Sequence, residues 1–105
     1  MSRSNWYSEQ IDVTEVLIKF FQDHDLKPRI ELVRCLECIK ADDIEGAVVQ
    51  AKQIKPWGMG GLDDNYLPVK FSNENQQYVQ VVLEALIDRW CHLMSLSFEK
   101  NNPKT

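Results

Sequence analysis

Cys35 and Cys38 form a C-x-x-C pair, and Cys91 and His92 stand side by side later in the chain. Two such pairs supply the ligand types of a tetrahedral zinc site. Cys35 and Cys38 are at i and i+3 of a helical stretch and can face one ion. Cys91 and His92 are consecutive, so on a helix they point about 100° apart and do not close the same tetrahedron. A redox C-x-x-C would open a helix after a strand, whereas this pair falls inside a helical pattern. The expectation is that the cysteines are small buried apolar groups. His24, between Asp23 and Asp25, ends a helical stretch, where an imidazole complements the helix's negative pole. Neither histidine sits at a spacing from Ser or Cys that marks a nucleophile. Asp63 and Asp64 lack the further carboxylates of a cation loop, and "GMGG" lacks the Lys-Ser or Lys-Thr of a phosphate loop. No catalytic residue, no cofactor and no metal site is expected.

The segment "IKPWGMGGLDDNYLPVKF", residues 54–71, remains to be explained. Three of the chain's four glycines, Gly58, Gly60 and Gly61, lie there with Trp57, Met59 and Tyr66. Glycines allow the positive φ angles of an awkward crossover, and Trp57, Leu62 and Leu67 would then plug the bundle. Alternatively the loop recognises a partner: Trp57, Met59 and Tyr66 supply large contact area beside Asp63 and Asp64. The "ADDIEG" turn adds Asp42, Asp43 and Glu45. If turn and loop meet at one end of the molecule, they form an acidic face with an aromatic centre, suited to a basic protein.

The elements that position these groups read as helices. Val13, Val16, Leu17, Phe20 and Phe21 recur at three- and four-residue steps, predicting a helix from Ser8, as N-cap, to about His24. Pro28 suits the first turn of a second helix over 28–41, with Leu32, Cys35, Leu36 and Ile39 on one face and Ile30 and Val33 widening it. Asp42 or Asp43 caps a third helix, to Ile54, burying Ile44, Ala47, Val48 and Ala51. Ser72 or Asn73 caps a last helix to Phe98, with Val79, Val82, Leu83, Leu86, Trp90, Leu93 and Met94 inward. The fold class expected is all-α: a compact bundle of four helices with a long Gly-rich loop before the last.

Composition sets the outer limits. A chain of 105 residues with 44% hydrophobic and 27% charged residues fits one globular domain spanning 1–105. The polar ends, 1–7 and 99–105, lack any apolar pattern to tie them down and are expected to be flexible. "VQVVLEALIDRWCHLMSL" is cut by Glu84, Asp88, Arg89 and His92, so it predicts an amphipathic helix, not a membrane span. No apolar run follows the early arginine, and a cytoplasmic location is expected. The net charge of -4, without a basic cluster, disfavours direct contact with nucleic acid and favours basic protein partners.

A helical hairpin, then "WGMGGLDDNYL", then a polar segment and a long amphipathic helix resembles small helical immunity proteins of bacterial toxin systems. The resemblance spans residues 10–95 as an arrangement and rests on Gly58, Met59, Gly60, Gly61, Leu62 and Asp64; Pro56 and "NYLPVKF" depart from the pattern. It implies an inhibitor of the contact-dependent growth-inhibition type, which binds a cognate toxin in the cytoplasm and blocks its active site or substrate surface; a monomer is expected. With the acidic balance, it implies a basic nuclease toxin, ribonuclease-A-like toxins included. Partner contact would fall on Asp42, Asp43, Glu45, Trp57, Met59, Asp63, Asp64 and Tyr66. Two rivals are a homo-oligomeric structural or regulatory subunit, with Trp57, Tyr66 and Trp90 in a self-interface, and a metal enzyme using Cys35, Cys38, His92 or the aspartates.

Overall fold

In the first helix, α1 (Trp6–Asp23), the buried residues run Gln10, Val13, Thr14, Leu17, Ile18 and Phe21, a helical stripe that includes two polar side chains. The computed structural model describes residues 6–63 and 74–100. Three further helices follow: α2 (Ile30–Lys40), α3 (Ile44–Lys52) and α4 (Gln76–Lys100). The chain is an all-α bundle of four helices, and no strand occurs among the described residues. None of these helices is long and apolar enough to cross a membrane.

The longest helices, α1 and α4, run antiparallel, joined by a polar seam inside the core. The Gln10 amide donates to the Leu93 carbonyl (2.9 Å) and to Ser97 Oγ (2.8 Å). Thr14 Oγ1 donates to the Gln10 carbonyl (2.7 Å) and accepts from the Trp90 indole N–H (3.1 Å). This seam rotates α1 relative to the apolar pattern: Gln10 and Thr14 take core positions, while Val16, expected inside, is 49% exposed. A buried hydrogen bond contributes modestly when made, but a buried donor without an acceptor is costly. Thr14→Val preserves shape and strands the Trp90 N–H, so it should cost about 1–3 kcal/mol in chemical denaturation. Loss within the range of a surface substitution would mean that the seam does not hold the two helices.

The α2–α3 hairpin closes through a turn read from its backbone. Asp42 adopts a left-handed φ of 65°, and the amides of Asp42 and Asp43 donate to the carbonyls of Ile39 and Cys38. Asp43 then caps α3, its carboxylate accepting from the Gly46 amide at 3.0 Å. Leu32, Cys35 and Ile39 of α2 and Ala47 and Ala51 of α3 belong to one buried cluster, and Val48 is buried as well. Ile30, expected to widen the inner face of α2, is 53% exposed, because it sits at the first turn beyond the core's edge.

Both long helices differ in extent from the sequence expectation. α1 begins at Trp6, which puts Ser8 inside the first turn instead of at the cap. α4 begins at Gln76, capped by Asn75, whose side chain accepts from the Tyr78 amide at 2.8 Å. The residue before that cap, Glu74, is held elsewhere. His24 is buried after α1; its Nδ1–H donates to the Phe20 carbonyl (2.8 Å), and Nε2 lies 3.2 Å from each Glu74 carboxylate oxygen. The Phe20 and His24 rings also meet, with centroids 4.4 Å apart. His24 therefore has the helix-terminal position its sequence suggests, and it also ties the end of α1 to the residue before the α4 cap.

Candidate functional site

The Gly-rich loop is built from its main chain outward. After α3 the chain turns at Ile54, a core residue, and leaves the interior until Leu62 returns to full burial. Between them, the Leu62 amide donates to the Lys55 carbonyl (2.9 Å) and the Asp63 amide to the Pro56 carbonyl (3.2 Å), closing the loop at its neck. Inside the neck, the Gly61 amide donates to the Gly58 carbonyl at 2.8 Å. Gly58 and Gly60 take φ of +87° and +79°, a region side chains resist. At Gly61 a methyl group would lie 2.8–2.9 Å from the Trp57 backbone, so only glycine lets the two strands of the loop approach.

Two side chains complete the clamp. The Asp63 carboxylate accepts from the Gly58 amide at 2.9 Å. From the start of α2, Arg29 Nη2 donates to the carbonyls of Gly60 (2.6 Å) and Gly61 (3.2 Å). Bonds from a cationic donor are the stronger kind, and this one fastens the loop to a different helix. The product is a compact, closed surface loop of the Ω kind. At its tip Met59 is 86% exposed, and Trp57 beside it is 41% exposed. Large apolar groups held outward on a fixed backbone are the ordinary makings of a protein-docking anchor.

The expected partner-binding residues divide into three sets. Trp57 and Met59 are exposed together on the loop. Asp63 lies in the same loop, but its carboxylate turns inward to Gly58. Asp42, Asp43 and Glu45 are exposed at the closed end of the α2–α3 hairpin, whereas the loop leaves its open end beside Arg29. The nine residues of α3 separate them, about 13 Å of helix. Among the described residues, turn and loop thus lie at opposite ends of α3 and are not brought together into one acidic face with an aromatic centre. Asp64, Tyr66 and Leu67 lie outside the described residues. Arg29, which sequence patterning did not single out, is the loop's principal tether; a lone arginine before a helix carries no signal of a contact so distant in the chain.

The remaining chemistry-bearing residues are dispersed. Cys35 is fully buried, and burial, with Cys38 beside it, pushes its thiol up to about 12. Burial and the carboxylates of Asp43 and Glu37 raise Cys38, and burial and Asp88 raise Cys91. All three thiols are thereby held away from the reactive thiolate. No cluster of three His, Cys, Asp or Glu able to hold a metal occurs among the described residues. Trp90, offered above as part of a self-interface, is buried in the chain's own core and bonded to Thr14.

A cleft of about 200 Å³ between α1 and α4 is lined by Glu9, Asp12, Val13, Val16, Leu86 and Arg89. Sites for cofactors and drug-sized ligands usually run from about 300 Å³ upward, and this cleft falls below that range. No family model, curated protein or solved structure matches the chain.

Proposed function

We propose that this chain is a non-enzymatic inhibitor, an immunity protein that binds a cognate bacterial toxin domain and occludes its active site. One observation carries the reading: a loop closed by its own peptide groups and clamped by Arg29, yet presenting Met59 and Trp57 to solvent. A fixed loop loses little conformational entropy on docking, so more of its contact area appears as affinity. The net charge of -4 supports a basic partner, a nuclease domain foremost, because long-range attraction accelerates encounter. In this scheme the loop supplies the buried anchor. The exposed carboxylates of Asp42, Asp43 and Glu45, at the far end of the hairpin, supply steering and not the central contact.

The two contributions separate experimentally. The product of the neighbouring reading frame, which this proposal expects to be the toxin, is co-expressed with the chain, and affinity is followed by calorimetry. Met59→Ala and Trp57→Ala should each weaken the complex by about 2 kcal/mol, roughly 30-fold, as anchors do. Neutralising Asp42 and Glu45 should instead slow association and flatten its salt dependence, with little change in dissociation. Failure to capture the neighbouring product at low salt would overturn the proposal. A complex indifferent to both loop substitutions would move the interface elsewhere.

A further inference from the structure

Sulfur is present in this chain in two chemical states of readiness. The cysteine thiols must ionise before a peroxide can attack them, and each is held protonated by burial, Cys38 and Cys91 also by neighbouring carboxylates. A thioether needs no ionisation, only access. Met94 is fully enclosed in the core, and Met59 is the outermost side chain of the clamped loop. The hydrogen bonds that close the loop run through peptide groups, Asp63 and Arg29, none of them through the Met59 side chain.

We propose that Met59 is an oxidation site of the folded protein and that its sulfoxide switches the loop from an apolar to a polar tip. A hydroperoxide is the oxidant. Its terminal oxygen bonds to Met59 Sδ as the O–O bond breaks; sulfur loses two electrons, and the peroxide leaves as water or an alcohol. The methionine sulfoxide is polar and chiral, and a reductase of the methionine sulfoxide class returns it to the thioether. The Gly58, Gly60 and Gly61 backbone stays closed, so the face changes while the fold does not. That this alters partner affinity rests on the loop being the docking element, as proposed above; the selectivity of the oxidation does not.

The test uses the full chain, graded hydrogen peroxide and peptide mass spectrometry. Met59 should gain one oxygen about tenfold or more faster than Met94, whose reaction waits on opening of the core. The oxidised protein should elute earlier from a hydrophobic-interaction column, keep its melting temperature, and recover its retention with sulfoxide reductase. Met59→Leu should retain the late elution after peroxide treatment, with Met1, outside the described residues, followed as a separate peptide. Oxidation of Met94 or of a cysteine at a comparable rate overturns the site, as does an oxidised protein that melts early. With the toxin domain, a complex of unchanged affinity after oxidation overturns the switch while the docking reading stands. Absence of a complex in either redox state overturns the docking reading and the switch, leaving Met59 selectivity to be judged by the peptide data alone.

Discussion

Gly61→Ala should lower the thermal midpoint by about 10–20 °C, the equivalent of about 2–3 kcal/mol for a domain of this size. The added methyl would fall within 3 Å of the Trp57 nitrogen, carbonyl carbon and oxygen, and backbone cannot swing aside as a flexible side chain can. Relief requires opening the neck, which releases the Leu62 and Asp63 amides from Lys55 and Pro56. Gly60→Ala provides the comparison. It has open space on every side and a φ of +79°, so only the left-handed penalty of about 1–2 kcal/mol applies. Gly58→Ala, with φ +87° and only the Lys55 stem nearby, should behave like Gly60→Ala. The order is measured by circular dichroism melts of the three variants. Gly61→Ala no more harmful than Gly60→Ala would show that the loop does not close on Trp57.

Glu74→Ala should destabilise the bundle by about 2–3 kcal/mol, near the lower end for breaking a buried pair. The side chains of His24 and Glu74 are 3% and 10% exposed, so water replaces little of the lost contact. His24 would keep its bond to the Phe20 carbonyl but lose both Glu74 carboxylate oxygens. Glu74→Gln retains an oxygen acceptor and should lose about half as much. The pair links the end of α1 to the residue before the α4 cap, so both variants should also weaken protection of the first-turn amides of α4 in hydrogen exchange. A urea midpoint for Glu74→Ala within the spread of surface substitutions, about 0.5 kcal/mol, would remove His24 as the anchor of α4.

The helices were legible wherever apolar residues and caps agreed. Of the two caps that spacing offers for α3, Asp42 and Asp43, the second is used, and of the expected inner face Ala47, Val48 and Ala51 are buried while Ile44 is half-buried. On α1, hydrophobicity alone placed Val16 inside, because it gave no weight to Gln10, Thr14 and His24, which are buried by virtue of their partners on α4 and at its start. Ile87 of α4, fully enclosed, completes the stripe of Val79, Leu83, Trp90 and Met94 that the pattern traced without it. The late start of α4 was hidden for a related reason: Glu74 answers to a histidine fifty residues earlier, and no local rule expresses that.

At the loop, glycine density beside large apolar residues left two readings open, and the structure divides them: Leu62 is enclosed as a plug would be, while Trp57 and Met59 are exposed. Direction was harder to read than position. Asp63 looked like part of an acidic surface, yet its carboxylate is spent on the Gly58 amide, and the acidic turn lies beyond the length of α3. A short side chain in a tight turn has peptide donors within reach before any partner arrives, which is why loop aspartates so often serve the loop itself.

The grip on residues 55–63 falls on carbonyls and amides, groups common to nearly every amino acid. Letters at positions 57 and 59 can accordingly be rewritten while the grip holds. In the docking scheme proposed above, exchanging those two side chains would change the target and keep the architecture intact, so that two descendants of one ancestor would share a shape and recognise nothing in common.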